Sequence, residues 1–146
     1  MNIVQQRRDQ LIAKFKELPK GDEVYSWIID FGKDFPGIEP ENKTSEFEVK
    51  GCQSPTWLFA ELKGDKVFYQ GDSDAVISKG VMALLLSVYN ESTPDEILSV
   101  KPDFLKEVGI SDHLSVNRAN GMASMAKKIH YYAFAFQYIQ KKHKIC

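Results

Sequence analysis

The sequence predicts an α+β fold, a three-stranded antiparallel sheet packed by several helices, and three observations predict it. Apolar residues recur at helical spacing up to residue 31 and again from residue 76 onward. Between residues 47 and 69 the spacing drops to two, the repeat of a half-buried strand. The strand segments follow one another through short loops, which favours an antiparallel meander over parallel crossovers. Strands in one block with helices on either side belong to the α+β class. With 146 residues, 43% hydrophobic and 27% charged, and no linker, low-complexity run or internal repeat, the chain is expected to form one domain over 1–146.

Val4, Leu11, Phe15 and Leu18 mark one side of a first helix, closed by Pro19. Asp22 is placed to cap a second helix, in which Val24, Trp27, Ile28 and Phe31 follow at i, i+3, i+4 and i+7. That helix ends before Pro36, and "FPGIEPENKT" is a loop by its prolines and glycine. Phe47 and Val49 alternate with Glu46, Glu48 and Lys50 as a first strand. Trp57, Leu58, Phe59, Ala60 and Leu62 are apolar on both faces, as in a central strand. Gly64-Asp65 supplies a tight hairpin turn, and Val67 and Tyr69 alternate on a third strand. After "QGDSD" a helix with the stripe Ile77, Val81, Leu84, Leu85 and Val88 is widened by Val76, Met82 and Leu86, which marks it as the one most fully packed on the sheet. Thr93-Pro94-Asp95-Glu96 combines an N-cap, proline at the first helical position and acids in the first turn. A short helix over 102–108 is stopped by Gly109. Ser115 caps a long last helix whose stripe is Met122, Met125, Ala126, Ile129, Ala133 and Phe136.

Bulk composition excludes several function classes. The longest apolar run, 81–86, is far too short to cross a bilayer, and residues 1–9 carry two arginines with no apolar segment behind them, so neither a membrane span nor a secretory signal is expected. A net charge of −1 gives no reason to invoke nucleic acid. The charge is uneven: residues 39–48 are acid-rich, and from residue 116 on there are six lysines and arginines and no acid, the pattern of a solvated helix face. Two cysteines, Cys52 and Cys146, make a cytoplasmic protein with free thiols the default over a disulfide between a turn and a chain end.

Cys52 is the residue with chemistry to explain. It follows Gly51 in "VKGCQSPTW", at a turn between two strands. As a zinc or iron–sulfur ligand it would need three or four soft ligands, and His113, His130 and His143 show no paired spacing, so no metal is expected. A dithiol centre would need a resolving partner, and position 55 is proline. A hydrolase or transferase nucleophile would need a histidine base, for which His113, just ahead of the last helix, is the candidate; His130, at the edge of the apolar stripe, fits a satisfied structural histidine. A single thiol that carries a group needs reach and access, and no base of its own; a mobile loop tip preceded by glycine offers that, with Gln53 and Ser54 as hydrogen-bond donors to a thiolate or persulfide. A buried packing cysteine remains open beside these.

Three ordered blocks, "GCQSPTW", "QGDSDAVISKG" and "HLSVNRANGMASM", resemble the SufE family of sulfur-acceptor proteins, and the likeness runs over about 26–125. The resemblance implies an α+β fold close to that of iron–sulfur scaffold proteins. It implies a protein that takes persulfide sulfur from a pyridoxal-phosphate cysteine desulfurase (SufS-like) onto Cys52, stimulates that desulfurase by clearing its persulfide, and passes the sulfur to a scaffold for iron–sulfur cluster assembly. Such a protein is a partner and activator rather than a stand-alone enzyme, has no cofactor of its own, and is a monomer or homodimer. Arg118, in "NRANG", matches a family arginine near the start of the last helix, and Asp74, in "GDSDA", matches an acidic position beside the cysteine loop. Gly51, Gln53, Ser54 and Asp74 are thereby expected to support the loop or bind the partner. Pro55 falls in a variable slot, the proline some relatives carry after the last helix's cap is absent, and Cys146 belongs to no family motif. A carrier of this kind is expected to tuck its sulfur against apolar residues such as Trp57 when alone, with Asp72, Asp74 and the acids of 39–48 setting the potential of the docking face. Asp72 or Asp74 can instead cap the helix that follows.

Overall fold

The structure is a computed structural model that describes residues 1–19 and 21–145. Cys146 lies outside them, and with it every expectation about a terminal thiol. Among the described residues, six α-helices surround one β-hairpin: α1 (Ile3–Glu17), α2 (Asp22–Lys33), β1 (Thr56–Lys63), β2 (Lys66–Ser73), α3 (Val76–Tyr89), α4 (Pro94–Leu98), α5 (Phe104–Glu107) and α6 (Val116–Ile145). The α+β class is therefore as expected, with one correction. The described residues form two strands, and the expected first strand is absent.

Residues Ser45–Phe47 wind into a 3-10 turn, and only a single bridge, Glu48 to Trp57, reaches β1, with the Val49 amide donating to the Thr56 carbonyl at 2.7 Å. The Glu48 carbonyl accepts instead from the Lys128 ammonium at 2.9 Å. Phe47 still packs edge-on to Phe59 and Val49 is buried, so the period-two signal was a true report of burial on a segment too tightly turned to pair.

The hairpin itself closes as expected through Gly64-Asp65, with Lys63 opposite Lys66. Gly64 alone of the two loop residues has a positive φ, 63°, as a type II′ turn requires. The outer edge of β2 is covered by a short stretch and by a side chain. Val67 exchanges hydrogen bonds with Glu91 and Ser92, and the Asn90 amide both accepts from the Tyr69 amide at 2.8 Å and donates to its carbonyl at 3.2 Å.

α3 is the most buried helix, as its sequence predicts; Met82, Leu84, Leu85, Val88 and Tyr89 are fully covered. It packs against α2 through two glycines: a Cβ on Gly80 would collide with the Ile28 carbonyl, and one on Gly32 would stand 2.9 Å from the Gly80 Cα. α2 begins at Asp22 with Gly21 as its cap, one residue ahead of the expected position. α4 has the expected capping box, Thr93 with Glu96, and Pro94 at its first position. Gly109 adopts a left-handed φ of 94° after α5. At the start of α6 the Ser115 hydroxyl accepts from the Arg118 amide at 3.2 Å. α6 then lays Met122, Met125, Ala126, Ile129 and Ala133 into the core and receives the buried Tyr69 hydroxyl on the Ile129 carbonyl at 2.7 Å. No described helix is long and apolar enough to cross a membrane.

Candidate functional site

Three elements converge on Cys52: the loop ahead of β1, the start of α3 and the first turns of α6. Gly51 has a φ of 84°, a conformation glycine adopts without strain, and it lies so close to α6 that a Cβ there would sit 2.8 Å from the Ser124 Oγ. That turn drops the half-buried Cys52 side chain onto α6 at Gly121. The thiol points at the Gly121 carbonyl at 3.7 Å, and a Cβ on Gly121 would lie 3.4 Å from Sγ. A glycine inside a helix costs up to about 1 kcal/mol relative to alanine; here a Cβ would just touch the cysteine, and a larger side chain would take the space it occupies.

The far side of the loop is pinned. The Thr56 hydroxyl lies 2.9 Å from the Ser54 carbonyl and 3.0 Å from the Ser73 Oγ, and Ser73 donates to the Pro55 carbonyl at 3.0 Å. The Asp74 amide donates to the same Pro55 carbonyl at 3.0 Å. The Arg118 guanidinium donates to the Ser54 Oγ at 3.0 Å and to the Ser78 Oγ at 2.8 Å, so one side chain ties α6 to the loop and to α3. Arg118 stands in the first turn of α6, where a cation gains nothing from the helix dipole.

Burial pushes the Cys52 thiol above its ordinary pKa; Thr56 and the Arg118 charge pull it down without reversing that shift. The resting thiol is therefore protonated and sheltered near neutral pH.

The remaining sequence-selected residues fall around this seat. Gln53 is exposed and makes no hydrogen bond with Cys52, while the Ser54 hydroxyl is engaged by Arg118 rather than by the sulfur. Asp74 is exposed beside the loop, and neither it nor Asp72 caps α3, whose cap position is Ala75 with its amide donating to the Ser73 Oγ at 3.4 Å. Asp72 is held by Lys43 at 3.1 Å and Lys79 at 3.8 Å, which neutralises it as a source of negative potential. Lys43 also covers the half-buried Trp57 ring at 5.2 Å, which ties the tryptophan to the 36–44 loop.

His113 turns edge-on to Phe15, and no hydrogen bond joins Cys52 to a histidine among the described residues. His130 is only partly satisfied: its buried Nε2 has no partner among the described residues, while the Val100 backbone bonds the imidazole and Tyr89 stands edge-on to the ring. Among the described residues, no group of three His, Cys, Asp or Glu side chains is arranged to hold a metal ion. Sequence reasoning missed Gly121, Ser78 and Ser124. Gly121 alone carried a signal, a glycine three residues after Arg118 in an otherwise continuous helix.

A family model described as SufE, an Fe-S metabolism associated domain, matches residues 9–133. The chain belongs to the SufE family. A SufE-like protein of Synechocystis is 35% identical over 128 residues, covering 88% of this chain and 80% of that protein. SufE-like proteins of Rhizobium meliloti and Rhizobium etli are each 34% identical over 126 residues, covering 83% of this chain and 90% and 85% of theirs. The solution structure of a hypothetical protein from Thermus thermophilus superposes with a TM-score of 0.75 at 21% identity, over 88% of this chain and 94% of that one, a likeness of fold. The SufE family assignment places this chain in iron–sulfur metabolism.

Proposed function

We propose that this SufE-family protein accepts sulfur on Cys52 from a pyridoxal-phosphate cysteine desulfurase and passes it to iron–sulfur cluster assembly. The supporting observation is the seat itself: a lone thiol on a glycine-hinged loop, covered by a helix at a glycine, with no histidine hydrogen-bonded to it among the described residues. The Cys52 thiolate attacks the outer sulfur of the partner's persulfide. The new S–S bond forms as the partner's S–S bond breaks, and the partner's thiolate leaves with the electron pair. No net oxidation occurs and no metal is consumed. The desulfurase is freed for another turnover, which is how acceptance becomes stimulation. Arg118 stabilises the thiolate once the loop moves out, since its charge already acts on that sulfur.

The test is desulfurase turnover with the wild type and with Cys52→Ser, together with mass spectrometry of the Cys52 peptide after incubation with desulfurase and cysteine. Stimulation and added sulfur on Cys52 are expected for the wild type, and both are lost in the variant. Stimulation that persists in Cys52→Ser refutes the reading, and ester or amide hydrolysis lost with His113→Ala would replace it with a hydrolase.

A further inference from the structure

The outward face of α6 carries a feature the Cys52 seat does not use. Tyr131, Phe134 and Tyr138 are 69%, 63% and 65% exposed. Their spacing of i, i+3 and i+7 lines them up on one stripe, on the side of the helix away from its buried residues. Lys127 precedes the stripe by one turn and Lys141 and Lys142 follow it, all exposed. At 1.5 Å per residue the lysines bracket the aromatics over about 22 Å. No acid occurs in the sequence after Asp112, so α6 holds no carboxylate that could neutralise them. Three large aromatics grouped on a surface mark a contact site rather than ordinary surface. The family model's match ends at residue 133, ahead of Phe134 and Tyr138.

We propose that this stripe docks an acidic protein segment, a partner helix whose apolar face is bracketed by carboxylates. Charge selects this occupant. A second copy laid antiparallel about Phe134 would set Lys127 against Lys141 at both ends, and a parallel copy would set each lysine against itself; both arrangements repel. A bilayer or a nucleic acid presents an extended negative surface, whereas the cations here form one line. Asp65 and Asp95 line a cavity with Ile139 and Gln140 on its flank, and the Gln137 amide donates to the Asp95 carboxylate at 2.6 Å. A rod fits the line and avoids that flank. Successive residues turn by about 100°, which sets the stripe roughly a third of a turn from Gly121 and in line with Ser124, the residue facing Gly51, two turns before Tyr131. The inference stands apart from the sulfur chemistry proposed for Cys52.

The test uses the full chain and a synthetic helical peptide of about 18 residues with leucines on one face and glutamates at both ends, beside the same peptide with lysines replacing the glutamates. Fluorescence anisotropy reads affinity, and amide chemical shifts read the site. The acidic peptide is expected to bind, with shifts confined to residues 127–142. Affinity falls about tenfold or more in Tyr131→Ser/Phe134→Ser/Tyr138→Ser. Lys127→Glu/Lys141→Glu/Lys142→Glu reverses the preference toward the lysine peptide. All six positions are exposed, melting curves verify folding, and Phe134→Ser alone serves if the triple variant does not fold. Any of four results overturns the proposal: neither peptide binds, charge reversal leaves the preference unchanged, the chain dimerises through the stripe, or phosphatidylglycerol vesicles or a DNA duplex shift the same amides.

Discussion

Gly121 can be substituted in two steps that separate the loop from the helix. A Cβ at position 121 would meet the Cys52 Sγ, Cα and Cβ at 3.4, 3.6 and 3.7 Å, ordinary contact distances. Gly121→Ala therefore leaves the thiol seated, and α6 gains up to about 1 kcal/mol of helix propensity. Gly121→Val adds two methyl groups to a carbon already in contact with three loop atoms, an overpacking that costs about 1–3 kcal/mol if nothing moves. The loop is the softer side, because a 30-residue helix anchored along the core does not shift for two methyl groups. Strain of about 1.4 kcal/mol on the seated loop raises the unseated population about tenfold, and in that form the burial that raised the thiol's pKa is relieved. Iodoacetamide labelling, read by mass spectrometry on the Cys52 peptide so that Cys146 does not contribute, is expected to proceed about tenfold faster or more in Gly121→Val. Gly121→Ala should label close to the wild-type rate and melt at or above the wild-type temperature. If Gly121→Val labels at the wild-type rate while its melting temperature falls, the helix has given way instead of the loop, and Gly121 is not what Cys52 rests on.

Three further outcomes follow from the same geometry. Arg118→Met keeps the aliphatic stem but loses the bonds to Ser54 and Ser78; at this half-exposed position the cost is about 1–2 kcal/mol, visible as a lower melting temperature and faster hydrogen exchange across 50–55. The Cys52 thiol is raised by burial, so the seated loop favours the protonated form and that preference is lost as pH climbs through the raised value; the pH profile of Cys52 labelling should have its midpoint above that of free cysteine, and a midpoint at or below it contradicts the burial argument. Burial lowers the His130 pKa, with the Val100 carbonyl pulling the other way; the unfolded chain then binds the proton more readily, so this contribution to stability is whole above about pH 6.5 and is lost as pH falls through the depressed folded value. Urea midpoints at pH 7.5 and 5.5 should differ less in His130→Gln than in the wild type.

Much of this was legible in the sequence because burial writes its period there. The α3 stripe, the Thr93 capping box and the Gly64-Asp65 turn are local signals, and each appears where it was read. The first strand failed for a physical reason: Phe47 and Val49 face inward with the right alternation, but alternation reports which side is buried and says nothing of where the backbone hydrogen bonds go. Lys128, eighty residues away, takes one of them. The site divides in the same way. Gly51 and Cys52 are adjacent in sequence and their turn could be foreseen. That Gly121 receives the sulfur, or that Lys43 and Lys79 silence Asp72, depends on contacts across the chain that no spacing rule contains.

The influences on Cys52 oppose one another: burial raises its pKa, and Thr56 and then Arg118 lower it, an opposition that would suit the carrier role proposed above. Desolvation at Gly121 favours the neutral thiol, while Arg118, anchored to Ser54 and Ser78, favours the thiolate. Desolvation falls away as the sulfur moves into water. The Arg118 guanidinium stays on α3 through Ser78, and its weaker pull on the sulfur is screened by water as the sulfur moves out. Moving the loop outward therefore removes the largest influence on the thiol, the one that suppresses reactivity. A partner that draws Cys52 off Gly121 activates the thiol by the same motion that exposes it, without supplying a base. With the loop seated, burial holds the thiol in its protonated form.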